Sequence, residues 1–288
     1  MAVSVVVITG CSSGIGLATA ARLAGDDSKK YKVYATMRDT SRKQQLVQTV
    51  GDALGQTLFI RELDVTKDES VEAFFSQVYE EDGRVDILVN NAGILTTYPL
   101  EGVPFEVNRQ IMETNFFGAL RTIQKVIPNM KKRRSGRIIN IGSMAGVIGF
   151  PFSDGYCAAK FALEGLSESL VAVLKQFDVH ISMIAFGLVM TPLLQGLGGN
   201  LNLNEDAVGE ETLELMQKGM ASKHWQSTSV DFIQTVGQAA EVVVSVIEDP
   251  NPKLRYTNRE EIREFLSLKL KDLSGENVVA HQMKYFET

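Results

Sequence analysis

Thr9-Gly-Cys-Ser-Ser-Gly-Ile-Gly16 decides how this chain is read. It closes an apolar run, Val3–Thr9, and opens directly into a helical pattern, Leu17–Ala24. Glycines at 10, 14 and 16 permit a tight turn and a close main-chain approach to a diphosphate. The helix amino terminus behind them offers unpaired N–H groups and the positive end of a dipole. The spacing is Gly-x3-Gly-x-Gly, where the general dinucleotide fingerprint has Gly-x-Gly-x2-Gly, yet the position after a first strand is the same. A plain glycine-rich turn would use these residues too; their position favours a nucleotide.

Outward from this loop, short β-branched runs alternate with helical stretches. Lys32–Met37, Thr57–Asp64, Asp86–Asn90, Arg137–Ile141 and His180–Phe186 read as strands, several of them apolar throughout, as parallel strands covered on both faces are. Glu69–Tyr79, Glu106–Lys131 and Cys157–Gln176 read as helices between them. Such alternation predicts right-handed crossovers and one α/β, doubly wound parallel sheet of Rossmann type. The pattern changes after Thr191-Pro192. Gln195–Asn204 is rich in Gly and Asn and leads into a segment, 192–226, expected to be mobile and to carry short helices. Thr235–Glu248 reads as a helix and Leu254–Tyr256 as a last strand, while 260–288 shows no clear pattern. One domain, 1–288, is the simplest account.

The 288 residues are 44% hydrophobic and 22% charged, ordinary for a globular chain and enough for one large core. A net charge of −6 leaves no electrostatic footprint for nucleic acid. Two cysteines, Cys11 and Cys157, are too few for a disulfide framework and read as free thiols of a reducing compartment. A cytoplasmic location is therefore expected. The apolar start lacks a basic leader and is too short to span a bilayer. The tail offers no cysteine or basic apolar stretch for a lipid anchor, so membrane association is expected to be peripheral at most. No metal site is read.

The second strand is followed by Arg38, where an NAD enzyme usually places an acid against the adenosine ribose; an arginine there accommodates a 2′-phosphate. Met37 fills the acid's usual place, and Arg38 and Ser12 offer a cation and a donor. This favours NADP(H), with NAD(H) bound more weakly, although Asp39 lies beside the arginine and Arg38 also fits an ordinary surface position. Asp64 is placed to meet an adenine amino group or, equally, to build a turn.

Tyr156 and Lys160, four apart at the start of a helical pattern, share one face. A free tyrosine titrates near about 10, too high for a base at neutral pH. A neighbouring ammonium and a positive nicotinamide would draw that value down toward the working range. Upstream, Ile139-Asn-Ile-Gly-Ser143 ends a strand in a hydroxyl placed to hold a substrate oxygen. Asn90-Asn-Ala-Gly93 ends another strand, and Asn115 sits inside a long amphipathic helix.

Together these residues resemble the short-chain dehydrogenase/reductase family, in particular its steroid- and retinoid-converting members. Thr9–Gly16, Asn91-Ala-Gly93, Asn115, Ser143 and Tyr156-x3-Lys160 match in order and spacing, and Arg38, Pro128–Lys132 and Tyr156–Gly165 extend the match. The resemblance implies a nicotinamide cofactor held by Thr9, Gly10, Ser12, Ser13, Gly14, Ile15, Gly16, Arg38, Asp64, Val65, Asn91, Ala92, Gly93, Tyr156, Lys160, Val189 and Thr191. It implies a catalytic set of Asn115, Ser143, Tyr156 and Lys160, with Asn115 distorting its helix and holding a water in a proton relay to Lys160. Ser143, Ala145, Phe150, Tyr156 and Leu188 would meet the substrate beneath a lid formed by 192–226. A homodimer would pair the helices bearing Asn115 and Tyr156. Leu188 departs from the family, which usually has proline beside this glycine, and Phe150 is bulkier than expected.

The expected substrate is a hydrophobic ketone or alcohol. Ala145 leaves width for a fused-ring steroid, which favours 17-keto/17-hydroxysteroid interconversion. Gly55–Leu58 and Asn115–Gly118 lean toward retinal/retinol instead. A protein of another class, a non-catalytic NADP(H)-binding redox sensor, would need the phosphate loop but not Ser143, Tyr156 and Lys160 together.

Overall fold

The first strand, β1 (Ser4–Ile8), shows how the chain divides its apolar residues between two faces. Val6 and Ile8 enter one core and Val5 and Val7 the other, the period-two alternation of a strand covered on both sides. The computed structural model describes residues 3–195, 202–222, 232–257, 259–272, 274–284 and 286. Its strands continue as β2 (Tyr31–Met37), β3 (Leu58–Glu62), β4 (Ile87–Asn90), β5 (Gly136–Ile141), β6 (Val179–Ile184) and β7 (Arg255–Tyr256). All pairings are parallel, in the order β3-β2-β1-β4-β5-β6-β7. The order reverses between β1 and β4, the switch point outside which such sheets bind ligands. This is the doubly wound single domain read from the sequence.

Helix α1 (Gly14–Ala24) buries Leu17, Ala20, Leu23 and Ala24 against α9 (Val236–Glu248), which presents Ala239, Val243 and Val244. A reciprocal capping box starts α9: the Gln238 amide donates to the Thr235 hydroxyl at 3.2 Å, and Thr235 N–H to the Gln238 side chain at 2.9 Å. On the opposite face α3 (Asp68–Asp82), α5 (Gly118–Arg133) and α6 (Asp154–Lys175) cover the sheet with Phe74, Phe75, Ile123, Val126 and Leu174.

The strands expected from the sequence are present with ends shifted by one or two residues. Three elements differ from expectation. A short helix, α2 (Gln44–Val50), lies in what read as connecting chain. The rod expected at Glu106–Lys131 is interrupted: α4 (Phe105–Met112) passes through a π turn, Glu113–Phe117, into α5. The patternless tail forms α10 (Glu260–Lys271) and α11 (Glu276–Met283). Ile262, Phe265 and Leu266 of α10 pack on Met144, Val147 and Ile148 behind the loop that follows β5.

After β6 the chain forms α7 (Pro192–Gln195) and α8 (Glu210–Ala221). Of the expected 192–226 segment, residues 196–201 and 223–226 lie outside the described residues, and a short turn, Glu205–Ala207, precedes α8. Among the described residues no helix is long and apolar enough to cross a membrane.

Candidate active site

A cavity of about 1090 Å³ runs along the carboxyl edge of the sheet, across the switch point. The loop from β1 into α1 forms one end. Gly10 and Gly14 take left-handed backbone angles, φ +73° and +61°, which suit glycine and few other residues. A Cβ on Gly14 would meet only Thr191, 3.3 Å away, so the main chain here is bare toward the cavity. Ser13, Gly14 and Ile15, at the amino terminus of α1, line the same space, and a helix start of this kind fits a nucleotide diphosphate.

Asn91 holds this loop from below. Its side-chain amide donates to the Thr9 and Gly10 carbonyls at 2.8 and 3.0 Å. The Thr9 hydroxyl in turn accepts from the Asn91 and Ala92 amides, both at 3.0 Å. Thr9 and Gly16 were expected at the cofactor, but neither lines the cavity. Thr9 is buried because its hydroxyl ties β1 to the loop after β4. Gly16 lies behind the phosphate loop, where a Cβ would come within 2.4 Å of the Asn91 amide nitrogen. Gly10, Ser12, Ser13, Gly14, Ile15, Val65, Ala92 and Gly93 do line it.

Past β2 the wall is cationic. Arg38 is exposed and lines the cavity with Arg42 and Lys67, which sequence reasoning missed. None of the three has a carboxylate within ion-pair distance among the described residues. Asp39 is occupied otherwise: its carboxylate accepts from the Ser41 amide at 2.9 Å and caps the turn Thr40–Arg42. The Ser41 hydrogen bonds hold that carboxyl below its usual range, with Arg42 and Arg38 adding to the effect. Asp64 builds a turn, its Oδ1 accepting from Thr66 N at 3.0 Å and Thr66 Oγ1 at 2.7 Å, while also lining the cavity.

Ser143, Tyr156 and Lys160 converge over β5. The Ser143 hydroxyl accepts from Ala145 N at 3.1 Å, within a turn that puts Ala145 on the wall. The Lys160 ammonium donates to the Ile141 carbonyl at 2.8 Å and lies 5.7 Å from the centre of the Tyr156 ring. Burial pushes the Tyr156 phenol up to about 12, with Ser143 pulling weakly the other way, and pushes Lys160 down to about 8. Burial is the largest cause acting on the phenol and the ammonium is directed at Ile141, so the expected lowering of the Tyr156 pKa calls on the nicotinamide's charge as well. At neutral pH Tyr156 keeps its proton and Lys160 its charge, so the arrangement is that of a proton donor beside a cation.

Asn115 lies behind this group and lines a small second cavity with Lys160. It is buried, does not line the larger cavity, and spends its side chain on a backbone: Oδ1 accepts from Ile94 N and Nδ2 donates to Ile94 O, each at 2.8 Å. The side chain thus ties α4–α5 to the loop after β4, and the expected helix distortion at Asn115 is present as the π turn.

Phe150 lines the cavity with its ring 5.7 Å from Phe265. Leu188 and Val189 line it as well, and the chain there pairs with a distant segment. Gln234 N–H donates to Leu188 O at 2.9 Å, and Met190 N–H to Gln234 O at 3.0 Å. Sequence reasoning also missed an apolar wall of Phe152, Met216, Met220 and Phe286. The Phe286 ring stands edge-on to Phe152, 6.2 Å away, and presses on Gly219 of α8. Phe152 holds a left-handed φ of +63°, rare for so bulky a residue. No local pattern signals contacts this far apart in the chain. Cys11 and Cys157 are buried free thiols, raised in pKa by that burial.

The short chain dehydrogenase family model matches residues 4–201. Retinol dehydrogenase 8 of Homo sapiens is 41% identical over 275 residues, covering 94% of this chain and 86% of that protein. The 17-beta-hydroxysteroid dehydrogenase type 1 of Homo sapiens is 40% identical over 282 residues, 97% of this chain and 84% of that one. The alcohol dehydrogenase of Thermococcus sibiricus, solved in complex with 5-hydroxy-NADP, superposes with a TM-score of 0.68 at 26% identity, covering 89% of this chain and 96% of that one.

Gly16→Ala would overpack the Asn91 tie and is expected to weaken nucleotide binding by about tenfold or more, the usual scale of a forced backbone shift. Fluorescence titration with NADPH measures this, and an affinity within about twofold of the parent would count against the loop's role.

Proposed function

Because the chain belongs to the short chain dehydrogenase family, we propose that it reduces a hydrophobic ketone at the expense of NADPH, with a 17-ketosteroid of the estrone type as the leading substrate. That it is an oxidoreductase of CH–OH groups using a nicotinamide cofactor follows from membership. The choice of NADP(H) is supported by the bare Arg38, Arg42 and Lys67 wall, with Asp39 turned to capping. The apolar wall of Phe150, Phe152, Met216 and Phe286 supports a hydrophobic substrate, and the small, buried Ala145 supports a wide one. Retinal is the second reading, favoured by the likeness to retinol dehydrogenase 8.

The single observation that carries the reading is the convergence of Ser143, Tyr156 and Lys160 on one wall. The Ser143 hydroxyl holds the carbonyl oxygen, and Tyr156, protonated at neutral pH, donates its proton to that oxygen. When bound, the reduced nicotinamide is the source of the hydride for the carbonyl carbon. The Lys160 charge stabilises the phenolate left behind, which then recovers a proton from solvent. The segment 192–226 acts as the lid, supported by Pro192, Leu193, Met216 and Met220 on the cavity wall. A cytoplasmic homodimer is part of the same reading. Phe105 is 81% exposed, and Phe117 and Val173 are also exposed, on the helices expected to pair. Sedimentation should give twice the chain mass, and a monomer at micromolar concentration would exclude this pairing.

Turnover of estrone and all-trans-retinal with NADPH and NADH tests the whole. If nucleotide binds and neither carbonyl is reduced, the chain is better read as a sensor. Tyr156→Phe keeps the ring and removes the proton, and is expected to lower turnover about a thousandfold. With Tyr156 protonated throughout, kcat/KM for reduction should hold to pH about 8 and fall above it as Lys160 loses its charge; a profile flat to pH 10 would contradict the role given to Lys160. Arg38→Ala should cost NADPH about tenfold or more in affinity, the worth of a charge-assisted bond to phosphate, while sparing NADH. Equal losses for both nucleotides would overturn the assignment.

A further inference from the structure

The apolar alternation of the two central strands is broken at their carboxyl ends. Leu88 of β4 and Ile138 of β5 enter the core beneath α5 and α6. Two residues on, on the same face, Asn90 and Asn140 stand directly opposite one another. Both are buried, as are Thr122 of α5 and Ser167 of α6. The four side chains form one run of hydrogen bonds. The Thr122 hydroxyl donates to Asn90 Oδ1 at 2.6 Å, and Asn90 Nδ2 donates to Asn140 Oδ1 at 2.9 Å. Asn140 Nδ2 donates to Ser167 Oγ at 2.9 Å, and Ser167 donates to the Leu163 carbonyl at 2.8 Å. The Thr122 hydroxyl also lies 2.9 Å from the Ala119 carbonyl of its own helix, so its proton is shared, and the run crosses one face of the sheet from α5 to α6.

Apolar residues of similar shape would fill this site at no desolvation cost, so the polar run calls for another account. Its placement supplies one. Each member shares an element or a junction with a residue of the site: Thr122 lies seven residues beyond Asn115, Asn90 directly precedes Asn91, Asn140 lies three before Ser143, and Ser167 lies seven beyond Lys160, two turns along one helix face. Hydrogen bonds, unlike apolar contacts, fix register and orientation.

We propose that Thr122, Asn90, Asn140 and Ser167 form a positioning network that sets the loop bearing Ser143 against the helix bearing Tyr156 and Lys160. The network touches neither substrate nor nucleotide; it acts through the elements that do. The inference rests on the roles proposed above for Ser143 and Tyr156, and its test separates the two.

Thr122→Val and Ser167→Ala remove the hydroxyls at the two ends, which do not bond each other. Each is expected to lower kcat for ketone reduction by about tenfold while leaving KM for the nucleotide within about twofold, the signature of small misplacement at the chemistry alone. The double variant should lose much less than the product of the two, because either change opens the same run. Thr122→Ser and Ser167→Thr keep the hydroxyls and should restore kcat. Independently of activity, Ser167→Ala should speed hydrogen exchange at the amides of Met144–Ile148. Multiplicative losses in kcat, losses shared equally by nucleotide KM and thermal stability, or unchanged exchange in that loop would each overturn the network. If the parent reduces neither carbonyl compound yet exchange responds as stated, the network stands and the assigned reaction falls.

Discussion

An ammonium group in a protein interior is costly to bury, and Lys160 is buried with its charge directed at one carbonyl, Ile141 O, 2.8 Å away. That bond joins the last residue of β5 to the second turn of α6, and the rest of the site is arranged around it. It fixes the helix that carries Tyr156 against the strand that leads to Ser143. Gly146 allows the approach, since a Cβ there would come within 2.9 Å of the Lys160 carbonyl oxygen. The same desolvation that makes the lysine expensive lowers its pKa and raises that of the phenol. Position and proton affinity thus have one cause.

The other half of the cavity depends on an amide rather than a charge. Asn91 bonds two carbonyls of the phosphate loop, and Thr9 returns two bonds to the loop after β4. β1 and β4 are paired up to Ile8 and Val89, and beyond that point these bonds hold the two diverging loops together. Joining them with short polar side chains keeps the loops rigid while leaving the first turn of α1 open toward the cavity. Beside it, Arg38, Arg42 and Lys67 line the cavity without an ion-pair partner among the described residues, while the Asp39 carboxylate caps a turn.

The strands and the phosphate loop were legible in the sequence because their signals are local. Val5–Ile8, Val33–Met37 and Ile138–Ile141 are β-branched or apolar runs, and the loop glycines lie within one turn of chain. The proton-transfer residues were legible through their spacing, Tyr156 and Lys160 one helical turn apart. What was not legible depends on partners far along the chain. The resemblance implied a distortion at Asn115, but not the bonds its side chain makes there to Ile94, twenty-one residues away. The chain after Gly187 is held by Gln234 instead of a proline, and the wall at Phe286 exists only once α8 and the tail meet. Burial was equally hidden: four-residue spacing gives a Tyr–Lys pair, but not which way the ammonium points.

That last point bears on the chemistry. A phenol made acidic by a close ammonium would be ready to accept a proton from an alcohol. The site as folded holds the opposite poise, a protonated Tyr156 over a cation turned toward Ile141, which is ready to give a proton to a carbonyl oxygen. Oxidation of an alcohol would need further positive charge at the site to draw the phenol's proton away, which an oxidised nicotinamide provides and a reduced one does not. This poise is what the reductive direction proposed above would use. Reversal requires the oxidised nucleotide's charge to overcome a desolvation cost that is present whichever substrate is bound.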